Sequence, residues 1–221
     1  SGWRVAGVGD HNGDGFADFL TSTVNGDPGG RLEAGESYLI FGTDAPFAAT
    51  IDLATLDGTN GYVLNGIDAG DQAGRGLGAG GDFNGDGYDD LLIGSTAANG
   101  GAGETYVVYG KPSGFSASFE LSTLNGSNGF LLAGIDADDN SGRPASSAGD
   151  FNGDGFDDLL IHAMGGDPGG VANAGESYLV FGAAGGFSAT FDLSTLNGTN
   201  GFILEGIDSN DASDYAVAGA G

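Results

Sequence analysis

Three nine-residue stretches hold the most pointed chemistry in this chain: DHNGDGFAD (10–18), DFNGDGYDD (82–90) and DFNGDGFDD (150–158). They share the form D-x-N-G-D-G-x-x-D. Oxygen-bearing side chains stand at positions 1, 3, 5 and 9: Asp10, Asn12, Asp14 and Asp18; then Asp82, Asn84, Asp86 and Asp90; then Asp150, Asn152, Asp154 and Asp158. Alternating positions 1, 3 and 5 bend toward one point. Gly15, Gly87 and Gly155 at position 6 permit the sharp turn that brings the carbonyl of Phe16, Tyr88 or Phe156 inward. A carboxylate at position 9 closes the shell. Hard oxygen donors on a flexible loop suit Ca²⁺ better than Mg²⁺ with its strict octahedron. The plain alternative is an Asx-rich turn without an ion. Three intact copies weigh against it, because unneutralised carboxylates crowded into nine residues repel one another.

An EF-hand shares the first half of this pattern but needs Glu at position 12 and flanking helices. That position holds Thr21, Ile93 and Ile161, and strand-like apolar residues follow each loop. The loop is therefore expected to join two strands. A second acidic set also repeats, at Asp68/Asp71, Asp136/Asp139 and Asp208/Asp211, with Glu36, Glu104 and Glu176 expected near the same face. Capping of turns by local hydrogen bonds is the simpler reading of it; a second cation is the alternative. His11 at position 2 should point away from an ion. Neither His11 nor His162 has a repeated nucleophile beside it, and no single Ser/His/Asp constellation is specified. Arg75 and Arg143 share a repeat position with Trp3 and Tyr215, which suggests packing between repeats with an Arg head reaching a carboxylate. Tyr38, Tyr106 and Tyr178 are expected in the core. The sequons at 125–127 and 197–199 coincide with Asp57 of the first copy, so turn chemistry explains them better than glycosylation.

These loops are parts of a larger period. Their first residues are 72 and 68 apart, and GESYLIFG (35–42), GETYVVYG (103–110) and GESYLVFG (175–182) repeat in the same frame. So do GYVLNGID (61–68), GFLLAGID (129–136) and GFILEGID (201–208). The difference of four residues lies at GDPGG (26–30 and 166–170), a loop of variable length. Each repeat carries four short β-like segments; in the second they are about Leu77–Gly80, Asp90–Gly94, Glu104–Gly110 and Gly129–Gly134. No window has helical period with caps. Four strands per repeat, repeated radially, is the propeller signature; a β-solenoid has shorter coils. The expected fold is all-β: four-stranded antiparallel blades at 1–72, 73–140 and 141–212, with 213–221 as the first strand of a further blade. Three blades do not close a ring, so the chain is expected to be a piece of a longer array, completed by more of its own chain or by a partner.

Composition narrows the function. Thirty-one acidic residues against 5 basic ones give a formal charge of -26. Such a surface repels nucleic acid and anionic membranes, and three Ca²⁺ ions would offset six of those charges. With no cysteine there are no disulfides, thiolate metal sites or cysteine nucleophiles. No apolar run nears the ~20 residues that span a bilayer. Glycine is 47 of 221 residues without a collagen period, and ordered apolar runs argue against disorder.

The whole pattern resembles the FG-GAP repeat of integrin α-subunit β-propellers, especially their bacterial integrin-like relatives. LLIGS (91–95) stands where that family writes its GAP-like segment; LIFG (39–42), VVYG (107–110) and LVFG (179–182) stand near its FG-like segment. The resemblance implies that the acidic loops join strands 1 and 2 of each blade and bind Ca²⁺ through the fifteen residues named above. Two departures stand out: about seven blades are usual in the family, and position 3 is Asn rather than Asp. The function implied is that of a calcium-stabilised, non-catalytic, extracellular or cell-surface adhesion or binding module. Its protein or glycan ligand would sit on the face opposite the calcium loops, with self-association a further way to complete the ring. The alternatives are a structural assembly unit of a surface layer or filament, or an accessory propeller domain of a larger secreted hydrolase.

Overall fold

The computed structural model describes residues 2–210. The strand expected at 213–221 lies outside them, as do Asp211 and Tyr215. Fourteen strands form three sheets, and the only helical elements among the described residues are six three-residue 3-10 turns. Sheet one contains β1 (Val5–Gly9), β2 (Asp18–Thr23), β3 (Glu36–Ile40) and β4 (Gly61–Asn65). Sheet two contains β5 (Gly76–Gly81), β6 (Asp90–Ser95), β7 (Glu104–Val108) and β9 (Gly129–Ala133). Sheet three contains β10 (Ser141–Gly149), β11 (Asp158–Ala163), β12 (Glu176–Val180) and β14 (Gly201–Glu205). In each, neighbouring strands pair antiparallel in chain order, as propeller blades do. Among the described residues the sheets do not close into a ring.

Two short strands were not foreseen. β8 (Ser118–Glu120), from the strand 3–4 connection of blade 2, pairs parallel to β4 of blade 1; β13 (Thr190–Asp192), from blade 3, pairs parallel to β9 of blade 2. Blades 2 and 3 thus each lay a fifth strand on the outer edge of the blade before them and cover unpaired backbone groups there. Phe115 and Phe187, ahead of these strands, plug into the same neighbour. Phe115 packs 5.1 Å from the Phe41 ring and 5.2 Å from Tyr62; Phe187 packs 4.9 Å from Phe83 and 4.6 Å from Phe130.

The core lies in the seams between blades. Leu20, Leu39, Leu64, Leu91, Ile93 and Tyr106 fill the first; Leu92, Val107, Leu132, Leu159, Ile161 and Tyr178 fill the second. Blade 2 is sandwiched, so both faces of β6 are buried and its sequence reads as the unbroken apolar run LLI. The innermost strands meet backbone to backbone: a Cβ on Gly78 would lie 2.1 Å from the Ala145 carbonyl oxygen. Only glycine admits that approach. The sequon positions are Asx turns, as expected. Asn125 and Asn197 Oδ1 each accept from the N–H two residues on at 2.9 Å, and so does Asp57.

Candidate metal centre

The three acidic loops do connect strands 1 and 2 of their blades: each leaves the first strand at a glycine with positive φ (Gly9, Gly81, Gly149), where the pairing register shifts. Within the first loop, Asp10 accepts from the N–H groups of Asp14 (3.0 Å) and Gly15 (2.8 Å). Asn12 Oδ1 accepts from Asp14 N–H at 3.0 Å, and Asp14 accepts from Phe16 N–H at 2.9 Å. The Asn12 amide also donates to Asp14 at 2.9 Å. Asp82, Asn84 and Asp86 repeat these bonds within the second loop, and Asp150, Asn152 and Asp154 within the third. Gly15, Gly87 and Gly155 have φ near 90°, a turn that a side chain would strain.

The position-9 carboxylates differ in kind. Asp18, Asp90 and Asp158 are buried. Each bridges its own loop to the end of strand 3: Asp18 accepts from His11 N–H (3.0 Å) and Gly42 N–H (2.8 Å), and Asp90 from Phe83 N–H (3.2 Å) and Gly110 N–H (3.0 Å). Asp158 accepts from Phe151 N–H and Gly182 N–H, both at 2.9 Å. Burial pushes Asp18 up to about 6 and Asp90 up to about 8, and the loop's other carboxylates push the same way. Burial raises Asp158 as well.

This donor set fits a hard divalent cation. Each carboxylate has four lone-pair positions, of which the protein N–H groups occupy only part. The described partners of these side chains are backbone N–H groups and the loop's own asparagine amide, so the negative charge is left uncompensated. Among the described residues, no three His, Asp or Glu side chains gather closely enough to hold a metal on their own. An ion there would depend on a mixed shell that includes the asparagine and a main-chain carbonyl beside the carboxylates.

The second acidic set lies where the strand 2–3 loop and the strand 4–1 connection run together. In blade 1, Gly70 N–H donates to the Leu32 carbonyl and Ala73 N–H to that of Ala34, both at 2.9 Å. Across each seam an Asp meets the Glu of the next blade. Asp71 is raised to about 6 by burial, by Glu104 and by Asp68; Asp139 is raised to about 6 by burial, by Glu176, Asp136 and Asp167. Those glutamates accept from Tyr106 and Tyr178 hydroxyls at 2.6 Å, as Glu36 does from Tyr38. Tyr106 and Tyr178 are buried, whereas Tyr38 is half-buried on the bare side of blade 1. Arg75 departs from expectation: its guanidinium meets the Thr96 hydroxyl at 3.5 Å instead of a carboxylate.

His11 is wholly buried. Its ring nitrogens meet the Asp89 carbonyl (2.7 Å) and the Tyr62 hydroxyl (2.9 Å), and burial lowers it to about 4. It is a structural imidazole turned into the seam. His162 is buried beside the Ser177 hydroxyl at 3.1 Å. Reading the sequence did not single out Asp89 and Asp157 at loop position 8, which reach across seams. The signal was present, since YDD and FDD stand where the first copy has FAD.

Comparison with known proteins agrees with this geometry. The model of the FG-GAP repeat matches residues 73–108 and 143–180, the first three strands of blades 2 and 3. Phosphatidylinositol-glycan-specific phospholipase D of Rattus norvegicus is 33% identical over 164 residues, which cover 72% of this chain and 18% of that enzyme. The chain therefore spans less than a fifth of the length of that curated relative. Matched repeats, repeated loops and blade-like sheets agree: the chain carries FG-GAP repeats at residues 73–108 and 143–180.

Proposed function

We propose that this chain is a calcium-stabilised, non-catalytic binding module of β-propeller type that works outside the cell or at its surface. The observation that carries the reading is the threefold recurrence of one oxygen-donor loop whose described hydrogen-bond partners are backbone N–H groups and its own asparagine amide. Asp10, Asn12, Asp14, Asp18 and the Phe16 carbonyl would hold the ion in the first loop, and their counterparts would hold it in the other two. A bound ion would neutralise the loop and fix the hairpin of strands 1 and 2. The rigid blades then present the strand 2–3 and 4–1 connections, on the opposite face, to a protein or glycan. Millimolar extracellular calcium matches sites of this class. The test is a calorimetric Ca²⁺ titration of chelator-stripped protein, with melting of both end states. Three ions bound and a higher melting temperature support the reading; folded protein that takes up no calcium refutes it.

A second reading, assembly through the end blades, has its own observation. Residues buried within the seams have repeat-equivalents that are bare at the ends. Leu64 and Leu132 are 1% and 0% exposed, but Leu204 is 52%; Phe83 is 0% but Phe151 is 63%. At the other end Val5 is 71% exposed and the plug residue Phe47 is 54%. The two faces are the halves of one repeated interface, so the occupant they fit is another blade of the same kind, from more of this chain or from a second copy. Light scattering over a range of concentrations tests the second-copy form. A monomer at every concentration excludes it, and Phe47→Ser should abolish any association seen. The phospholipase relative agrees with a third arrangement, a propeller carried by a larger hydrolase.

A further inference from the structure

The loops are tied to one another as well as to their own blades. Asp89 lies between two expected ligands of loop 2, the Tyr88 carbonyl and Asp90. Its carboxylate leaves that loop and accepts from Asp10 N–H of loop 1 at 2.6 Å, while its own N–H donates to the Asp10 carbonyl at 3.3 Å. The pair recurs at the next seam: Asp157 accepts from Asp82 N–H at 2.9 Å and donates to the Asp82 carbonyl at 3.3 Å. Neighbouring loops also touch sideways. A Cβ on Gly13 would lie 2.3 Å from the Tyr88 ring, and one on Gly85 would lie 2.3 Å from the Phe156 ring. In loop 1 position 8 is Ala17, yet that loop makes the same internal hydrogen bonds as the others. The position-8 carboxylate is therefore not needed to shape its own loop. Its described contact is with the first ligand of the loop before it.

We infer that Asp89 and Asp157 are positioning residues that couple the cation sites of adjacent blades. The inference rests on the calcium reading above. An ion in loop 2 fixes residues 88 and 90, and so fixes Asp89 between them. Asp89 in turn holds the main chain of Asp10, the first ligand of loop 1. Loop 3 acts on loop 2 through Asp157 in the same way. Because coupling free energy is reciprocal, an ion in loop 1 favours loop 2 by the same factor. The sites fill as a connected row.

The test is a calorimetric Ca²⁺ titration of the chelator-stripped chain, its Asp89→Ala and Asp89→Asn variants, and Asp154→Ala. The expected wild-type isotherm is cooperative, with a Hill coefficient above 1. Asp89→Ala keeps the stoichiometry but weakens one site on the order of tenfold, within the usual range of coupling between sites. Asp89→Asn retains an oxygen acceptor and restores coupling. A strap that is merely structural would lower the melting temperature of Asp89→Ala equally with calcium and with chelator; the inference requires a larger loss with calcium. Asp154→Ala silences loop 3 with both straps in place and should weaken loop 2 by a similar factor, which measures the coupling even if Asp89→Ala does not fold. Independent wild-type sites, or an Asp89→Ala isotherm that overlays the wild type, overturn the inference. Wild-type protein that takes up no calcium removes the calcium reading itself, a failure distinct from loss of cooperativity.

Discussion

Phe83 and Phe151 occupy the same position in two successive loops, with one residue at a seam and the other at a bare end. Phe83 is fully buried, with its ring 5.7 Å from Phe130 and 4.9 Å from Phe187. Phe151 is 63% exposed and its described ring neighbour is Phe202 at 5.9 Å. Truncating a buried Phe to Ala costs about 3–5 kcal/mol, from lost transfer energy and the cavity left behind. At Phe151 only about a third of the side chain is out of water, so Phe151→Ala should cost about 1 kcal/mol. Urea unfolding at fixed calcium reads both. With a slope of about 2–3 kcal/mol per molar for a chain of this size, Phe83→Ala should lower the midpoint by roughly 1.5 M and Phe151→Ala by less than about 0.5 M. The contrast arises from tertiary position alone, since the two residues share type, motif and register. Equal shifts at low protein concentration would refute the view that the core is made of seams. A Phe151 effect that grows with protein concentration would mean that a second copy covers its face.

The same geometry sets three further outcomes. Asp71 and Asp139 are raised from 3.8 to about 6, the first facing Asp68 and Glu104, the second Asp136, Asp167 and Glu176. The folded state then binds more protons than the unfolded state between about pH 4 and 6, so these two groups make calcium-free protein lose stability as pH rises through that window. Melting curves should show a pH slope there that shrinks in Asp139→Asn. Gly94→Ser places in blade 2 the residue native to the same position in blade 1, but its Cβ would lie 1.9 Å from the Gly142 carbonyl oxygen. It should cost at least the roughly 1–3 kcal/mol of an overpacked core site by denaturant unfolding. Glu120→Gln weakens the link from β8 to blade 1, where Glu120 accepts from Arg31 and Asn65, both at 2.6 Å. Arg31 and Glu120 are both partly exposed, so the loss should stay within about 1 kcal/mol by thermal melting.

Much of this protein was legible in its sequence because its information is local and repeated. The D-x-N-G-D-G-x-x-D loops are set by Asx hydrogen bonds and by glycine's tolerance of positive φ, both fixed within a few residues. The four main strands arise from apolar segments bounded by Gly, Asn and Asp, and the repeat placed their counterparts. The parts decided by tertiary structure join one repeat to the next. β8 and β13 are three residues long and exist because a neighbouring edge offers partners. Leu64 and Leu204 read alike, yet one is buried and the other bare, because burial depends on whether a blade comes next. His11 reads as a loop residue but fills a seam beside Tyr62 and Phe115. Asp89 and Asp157 read as more of an acidic run, and only the packing of blades turns their carboxylates toward the first residue of another loop. The sequence alone determined the unit and its donor chemistry, since both are short-range. The structure decided which copies of that unit are buried and paired, since those properties belong to the spaces between units.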